Sequence, residues 1–384
     1  MKKKSIIPSV LIIIIIICVS LSSFLFVKEQ KGENKAKVFP TKKHSTRPFQ
    51  LVNRALIEKV TIGAIGDILI HDVVYQDAFN GQNYNFDPMF ENMKALLEKP
   101  DILTANQESM LGGLELGLSG YPRFNSPHEV ADALIHTGVD IVSTANNHTL
   151  DRGIKGVQSE SAYLQSIGLP YVGSFVDDKD QQNLRIINKN GIKICFLSYT
   201  YGTNGIPVPQ GKDFLVNLID RERMKGEIHL ARKEADIVVM SIHWGNEYQR
   251  IPTNNQKDLA RFLANEGVDI IFGSHPHVLQ PMEWLNTTDG RKAFVVYSLG
   301  NFISAQNNNY KDIGGLATID VTKQITDKGT TIEISNPLFF PTYVTSQKYH
   351  HFKVVPLEHA ATFGLTNADS KYKEIQQHMK QWLR

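Results

Sequence analysis

The chain has almost no cysteine: of 384 residues only Cys18 and Cys195 carry a thiol. Cys18 lies in an apolar N-terminal run and Cys195 in the strand-like stretch IKICFLSY, so an intrachain disulfide is not expected and the redox compartment stays open. An excess of charge of one sign is also missing. Lys and Arg total 41 against 39 Asp and Glu, a formal net charge of +2. That balance gives no support for nucleic-acid binding, and none is expected.

What is present begins at the N-terminus. Three lysines precede an uncharged, mostly apolar run from Ser5 to Val27. The run is long enough to cross a hydrocarbon core of about 30 Å at 1.5 Å per residue. A cleaved signal peptide has a shorter apolar core and a small-x-small cleavage site. Ser20 and Ser22 mimic such a site, and Ile17 argues against a lipid-modified Cys18. The run is therefore expected to stay attached as one transmembrane helix, with residues 1–27 as membrane anchor. Lys2 to Lys4 favour a cytoplasmic N-terminus, although Lys28, Lys31, Lys35 and Lys37 beyond the span blunt the asymmetry. The expectation is a single-pass protein of the cell membrane with its C-terminal domain extracellular. Residues 28–56, rich in lysine and broken by Pro40 and Pro48, read as a linker.

Beyond the linker one unit recurs. KPDILTANQE (99–108), GVDIVSTANNH (138–148), EADIVVMSIHWGNE (234–247) and GVDIIFGSHPH (267–277) each have an acidic start, a β-branched apolar run and a polar finish. Such runs are parallel strands buried on both faces. Amphipathic helical segments precede them: PMFENMKALLEK (88–99), SPHEVADALIHTG (126–138) and NNQKDLARFLANEG (254–267), the last two closed by glycine. Helix alternating with strand gives a layered α/β fold, a β-sheet core flanked by helices over residues 57–357, opened by a strand from Val60 to Ile65. Residues 313–344 read as antiparallel strands turning at Asp327 to Gly329, extending the sheet. Residues 358–384 form the C-terminal helical segment, its helix expected over 368–384.

In an open parallel sheet, ligands gather outside the carboxyl ends of the strands. Here those ends carry Asp67, then Asn106 and Glu108, then Asn146, Asn147 and His148, then His243 and Glu247, and finally His275 and His277. Each has a plainer reading: Asp67 as a helix cap, Asn147 in a left-handed turn, His243 as a hydrogen-bonded core histidine. Their coincidence at matching places favours a metal centre. Mixed Asp, Glu, Asn and His ligands suit manganese, zinc or iron with open positions, whereas structural zinc prefers cysteine-rich cages.

The ordered motifs GDILIHD, NQES, ANNHTLDRG, HWGNEY, GSHPHVLQP and SLGNF, between about Thr61 and Phe302, resemble the CapA (PgsA) family of poly-γ-glutamate capsule biosynthesis proteins. That family is similar in fold to calcineurin-like metallophosphoesterases. The resemblance implies a metallophosphoesterase-like core holding one or two divalent ions. It assigns Asp67, Glu108, Asn147, His243, His275 and His277 as metal ligands: His275 with Glu108, Asn147 and His243, and His277 with Asp67 and Glu108. Leu69 departs from the pattern, standing where Asp-x-His has its histidine. The Asp67 site is therefore expected to be the weaker one.

If the centre is catalytic, His148 is the expected general acid and Asp151 its orienting partner, a helix cap being the alternative for Asp151. Arg123 in GYPRFNSP and Asn301 in SLGNF are candidate substrate contacts, against a solvated arginine and a turn asparagine. Two functions follow. One is a membrane-anchored component of capsule biosynthesis or export, partnered by the polymer and by membrane synthase and export subunits. The other is a metal-dependent hydrolase of phosphoesters or of the γ-amide polymer.

Overall fold

The apolar run after Lys59 forms the spine of the domain. Strand β1 (Leu56–Ile68) is buried from Ile62 onward, because neighbouring strands pair with it on both sides. The computed structural model describes residues 55–383, so the expected anchor over 1–27 and nearly all of the linker lie outside the described residues. Among the described residues no helix is long and apolar enough to cross a membrane.

The described residues form a mixed α/β fold whose fourteen strands make two sheets. In the first, β2 (Ile102–Gln107), β3 (Ile141–Ser143) and β4 (Tyr171–Val172) follow β1 in parallel. On the other side of β1 lies an antiparallel wing of β12 (Ile313–Thr326), β13 (Gly329–Gln347) and β14 (His350–Pro356). The second sheet runs β5 (Arg185–Lys189), β6 (Ile192–Thr200), β7 (Ile237–His243), β8 (Ile270–Ser274), β10 (Lys292–Leu299) and β9 (Leu279–Asn286). Its four middle strands are parallel and its two edges antiparallel. Short β11 (Asn301–Ile303) leaves the second sheet and pairs with the end of β1, Asp67 opposite Asn301.

The recurring units are thus strands β2, β3, β7 and β8, but they divide between two sheets rather than sharing one. A run buried on both faces marks a strand without naming its neighbours. In β7 the two faces separate with the period of two. Ile237 and Val239 join the core shared with β1 and β2, while Val238, Met240 and Ile242 pack with Met224 and Ile228 of helix Arg221–Glu234 and Leu263 of helix Asn254–Glu266. The second helix is closed at both ends. Thr253 and Gln256 form a reciprocal capping box, and Gly267 ends it at φ 126°. The expected helix over 88–99 is broken into Asp87–Phe90, a 3-10 turn and Lys94–Leu97. The C-terminal helix is Ala368–Lys380.

Candidate metal centre

The parallel strands of both sheets end at one place. Asp67 lies at the end of β1, Glu108 follows β2, Asn147 and His148 follow β3, His243 closes β7, and His275 and His277 follow β8. Glycine makes the first junction possible. A Cβ on Gly66 would lie 2.0 Å from the Gly300 carbonyl oxygen, which accepts the Asp67 N–H at 2.8 Å.

The side chains fall into two triads that share Glu108. Ligand atoms of Glu108, His243 and His275 lie within 4.8 Å of one another, and so do those of Asp67, Glu108 and His277. All five residues are buried. His243 Nε2 is 3.7 Å from Glu108 Oε1 and 2.8 Å from Asn147 Oδ1, and His277 Nε2 is 3.6 Å from Glu108 Oε1. His277 Nδ1 is 3.2 Å from Asp67 Oδ2. The outer atoms are held in turn. His243 Nδ1 meets Ser274 Oγ at 2.9 Å, while the Asn106 amide donates to Asp67 Oδ1 at 2.8 Å and to Glu108 Oε2 at 3.3 Å.

Three buried atoms make no well-formed hydrogen bond: Glu108 Oε1, His275 Nδ1, and Asp67 Oδ2, which has only the His277 ring beside it at 3.2 Å. Buried polar atoms are ordinarily satisfied, and an unpaired buried charge is costly. Burial, followed by the neighbouring Asp67, pushes the Glu108 carboxyl well above its ordinary value. Burial holds His243 well below the usual imidazole range and takes His275 down to about 3, each helped by neighbouring histidines. At His277 burial opposes the charge, but Glu108 and Asp67 outweigh it and raise the ring to about 9. A divalent cation would relieve the carboxylate crowding and use the neutral imidazoles as ligands, so this donor set fits one.

His148 stands beside the triads. Its Nδ1 is 2.7 Å from Asp151 Oδ2, which also accepts the Phe124 N–H at 2.6 Å. Asp151 is therefore tied to a ring and a loop, and it does not cap the helix that follows: the N-cap of Gly153–Ser166 is Arg152. The Phe124 ring meets His148 edge-on at 4.7 Å. Arg123, one residue earlier, lies exposed in a loop closed by the Ser119–Asn125 bridge. Asn301, the other candidate substrate contact, lies behind His277. It is fully buried, with Oδ1 3.0 Å from His277 Nδ1 and its amide donating to Gln306 and to the Lys311 carbonyl. It orients the histidine from behind.

The sequence places Glu247 among the strand-end groups without making it a ligand, and it gives His71 no role. Glu247 forms a third cluster with His275 and His277, and its place in HWGNEY after β7 was the available signal. His71 meets Phe124 edge-on at 5.2 Å, so Phe124 lies between the rings of His71 and His148. Burial, with His277 and His148 adding to it, lowers His71 to about 4 against an opposing backbone contact. Nothing in GDILIHD distinguished His71 from a surface histidine.

The family model described as bacterial capsule synthesis protein PGA_cap matches residues 61–306. The capsule biosynthesis protein CapA of Bacillus anthracis is 29% identical over 266 residues, covering 65% of this chain and 61% of that protein. The PGA biosynthesis protein CapA of Bacillus subtilis (strain 168) is 33% identical over 177 residues, 43% of each. The chain thus spans about 61% and 43% of the lengths of these two relatives. Among solved structures, a 5'-nucleotidase precursor from Thermus thermophilus aligns at a TM-score of 0.45 and 12% identity, over 83% of this chain and 60% of that one.

Proposed function

The chain belongs to the PGA_cap family of bacterial capsule synthesis proteins, and from that premise we propose that it serves poly-γ-glutamate capsule biosynthesis or export as a membrane-tethered domain with a divalent metal centre. The observation that carries the metal part is the convergence of Asp67 Oδ2, Glu108 Oε1 and His275 Nδ1, buried and without a well-formed hydrogen bond, within two triads. The apolar run from Ser5 to Val27 supports the tether, and Lys2 to Lys4 before it support an outward-facing domain. In that position the domain meets the polymer and the membrane synthase and export subunits. Protease added to intact cells should then remove the domain; degradation only after lysis would refute the orientation.

A second reading, hydrolysis of a phosphoester or of the polymer's γ-amide, is favoured by the His148–Asp151 hydrogen bond. Asp67, Glu108, His243, His275 and His277 would hold the metal, with Asn147 beside His243. A bound divalent ion supplies Lewis acidity and lowers the pKa of a coordinated water. The rest of the work falls to protein groups. Asp151 fixes the orientation of His148 through Nδ1, leaving Nε2 as the nitrogen that hands a proton to the departing oxygen or nitrogen. Phe124 packs against the ring and keeps that direction.

One pair of substitutions separates the readings. If a bond is cleaved, His148→Ala keeps its metal and lowers hydrolysis by about 10²- to 10⁴-fold, the usual contribution of a general acid. His243→Ala instead releases metal, seen by elemental analysis. If the centre only binds polymer or braces the fold, His148→Ala is nearly silent while His243→Ala lowers thermal stability, because a bound ion stabilises the native state by mass action.

A further inference from the structure

The triad Asp67–Glu108–His277 is short of one ligand if the metal-centre reading holds. The residue that would supply it is Leu69, whose side chain is 2% exposed in the core and whose N–H is spent on the Ile303 carbonyl at 2.9 Å. No rotation of that side chain brings a donor atom to the centre. Two carboxylates, Asp67 and Glu108, would also have to balance two divalent ions in a buried place, where unscreened charge is expensive.

Glu247 lies where both deficits would be met. One of its carboxylate oxygens and a ring nitrogen each from His275 and His277 lie within 4.8 Å of one another. These histidines belong to different triads, so Glu247 stands with one member of each. Glu108 joins the triads from the buried side; Glu247 is exposed and approaches from solvent. Its charge acts on both His277 and Glu108.

The loop that carries Glu247 is fixed on either side of it. Trp244 Nε1 donates to the Tyr297 carbonyl at 2.9 Å, and Gln280 Nε2 donates to the Gln249 carbonyl at 2.6 Å. The Tyr248 N–H donates at 2.8 Å to the carbonyl of Pro276, the residue between the two histidines. Tyr248, His275 and His277 all have positive φ, at 64°, 94° and 56°. Backbone held in that region by surrounding structure is strain of the kind that gathers at functional sites. The two strained segments are bonded to each other, and the buried Nδ1 of His275 is left without a partner between them.

We propose that Glu247 is the third carboxylate of the metal centre, replacing the ligand that Leu69 cannot provide and allowing the second ion to bind. This rests on the metal-centre reading above, and the experiment keeps the two apart. The full-length chain, stripped by chelator, is reloaded with Mn²⁺ or with Zn²⁺ alone, dialysed, and assayed by elemental analysis and by calorimetric titration. The wild type should take up two ions. Glu247→Gln, which keeps the shape and removes the charge, should retain one ion and bind the other at least about tenfold more weakly, the lower end of what the loss even of an outer partner costs. Glu247→Asp should fall between them. Because Glu247 is exposed, these variants should fold, as circular dichroism can verify. Equal stoichiometry and equal second-ion affinity in wild type and Glu247→Gln would overturn the proposal, as would a single ion in both. A wild type that binds no ion would overturn the metal-centre reading itself and this proposal with it.

Discussion

The edge where the parallel strands end and the antiparallel wing β12–β14 are both built on β1, yet they hold their irregularities differently. In the wing, positive φ on residues other than glycine falls at bulges and a turn: Asn336 opposite the register shift between Thr318 and Asp320, Lys348 and Tyr349 between β13 and β14, and His351 opposite the shift between Thr345 and Gln347. Its buried side-chain atom without a partner is the Thr342 hydroxyl. At the strand-end edge, positive φ falls on His275 and His277 themselves, and the buried atoms without a hydrogen bond include, besides the Gln107 amide oxygen, carboxylate oxygens and an imidazole nitrogen. The wing places its exceptions where the chain must reverse or shift. The edge places them on the groups that do chemistry, where fold stability is lowered unless something binds.

Two glycines allow that contrast to be tested from the same sheet. The larger effect should come from Gly66→Ala. The new Cβ would meet the Gly300 carbonyl oxygen at 2.0 Å and the Leu299 carbonyl oxygen at 2.8 Å. Both are backbone atoms, so neither can swing away. Relief requires β1 to part from the turn between β10 and β11, moving Asp67 and, through Asn301, the support of His277. The cost should reach or exceed the upper end of the roughly 1–3 kcal/mol typical of overpacking. Denaturant unfolding should show this loss, and elemental analysis should show metal lost with it. A Gly66→Ala protein with wild-type stability and metal content would break the comparison.

Much of this architecture was legible in the chain, for identifiable reasons. The runs ending in Gln107, His243 and Ser274 are strands because both their faces are buried, and such runs are largely apolar without alternation. Their polar ends gather because parallel strands deliver their carboxyl ends to one side. The division into two sheets was not legible, since pairing is decided by which apolar face meets which and not by the face's composition. The contacts of Asn301 were not legible for a related reason. SLGNF puts an amide at a strand end, but only the fold shows it consumed by His277, Gln306 and Lys311. His71 and Glu247 lie in quoted motifs, yet spacing along the chain did not say that one ring would sit across Phe124 from His148 or that one carboxylate would reach two histidines.

The smaller effect should come from Gly315→Ala in the wing. Gly315 lies in β12 opposite Pro341, and a Cβ there would meet Phe339 Cζ at 2.2 Å and Cε2 at 2.4 Å. Those atoms are the far end of a side chain, but Phe339 is 3% exposed and packs in the core, so its ring can turn aside only by disturbing neighbours. The expected loss is about 1–2 kcal/mol, within the overpacking range and below that of Gly66→Ala, because the nearest obstacle is a ring and the backbone contact, the Phe340 carbonyl oxygen at 3.1 Å, is milder. Metal stoichiometry should not change, since β12 supplies no ligand and reaches the site indirectly, through β1, β11 and the Gly300–Gly314 bridge. Thermal or denaturant unfolding should therefore report a less stable protein with its full metal content. Loss of metal in Gly315→Ala, at unchanged stability, would mean that the wing is coupled to the centre and that the two regions do not divide the labour of fold and chemistry.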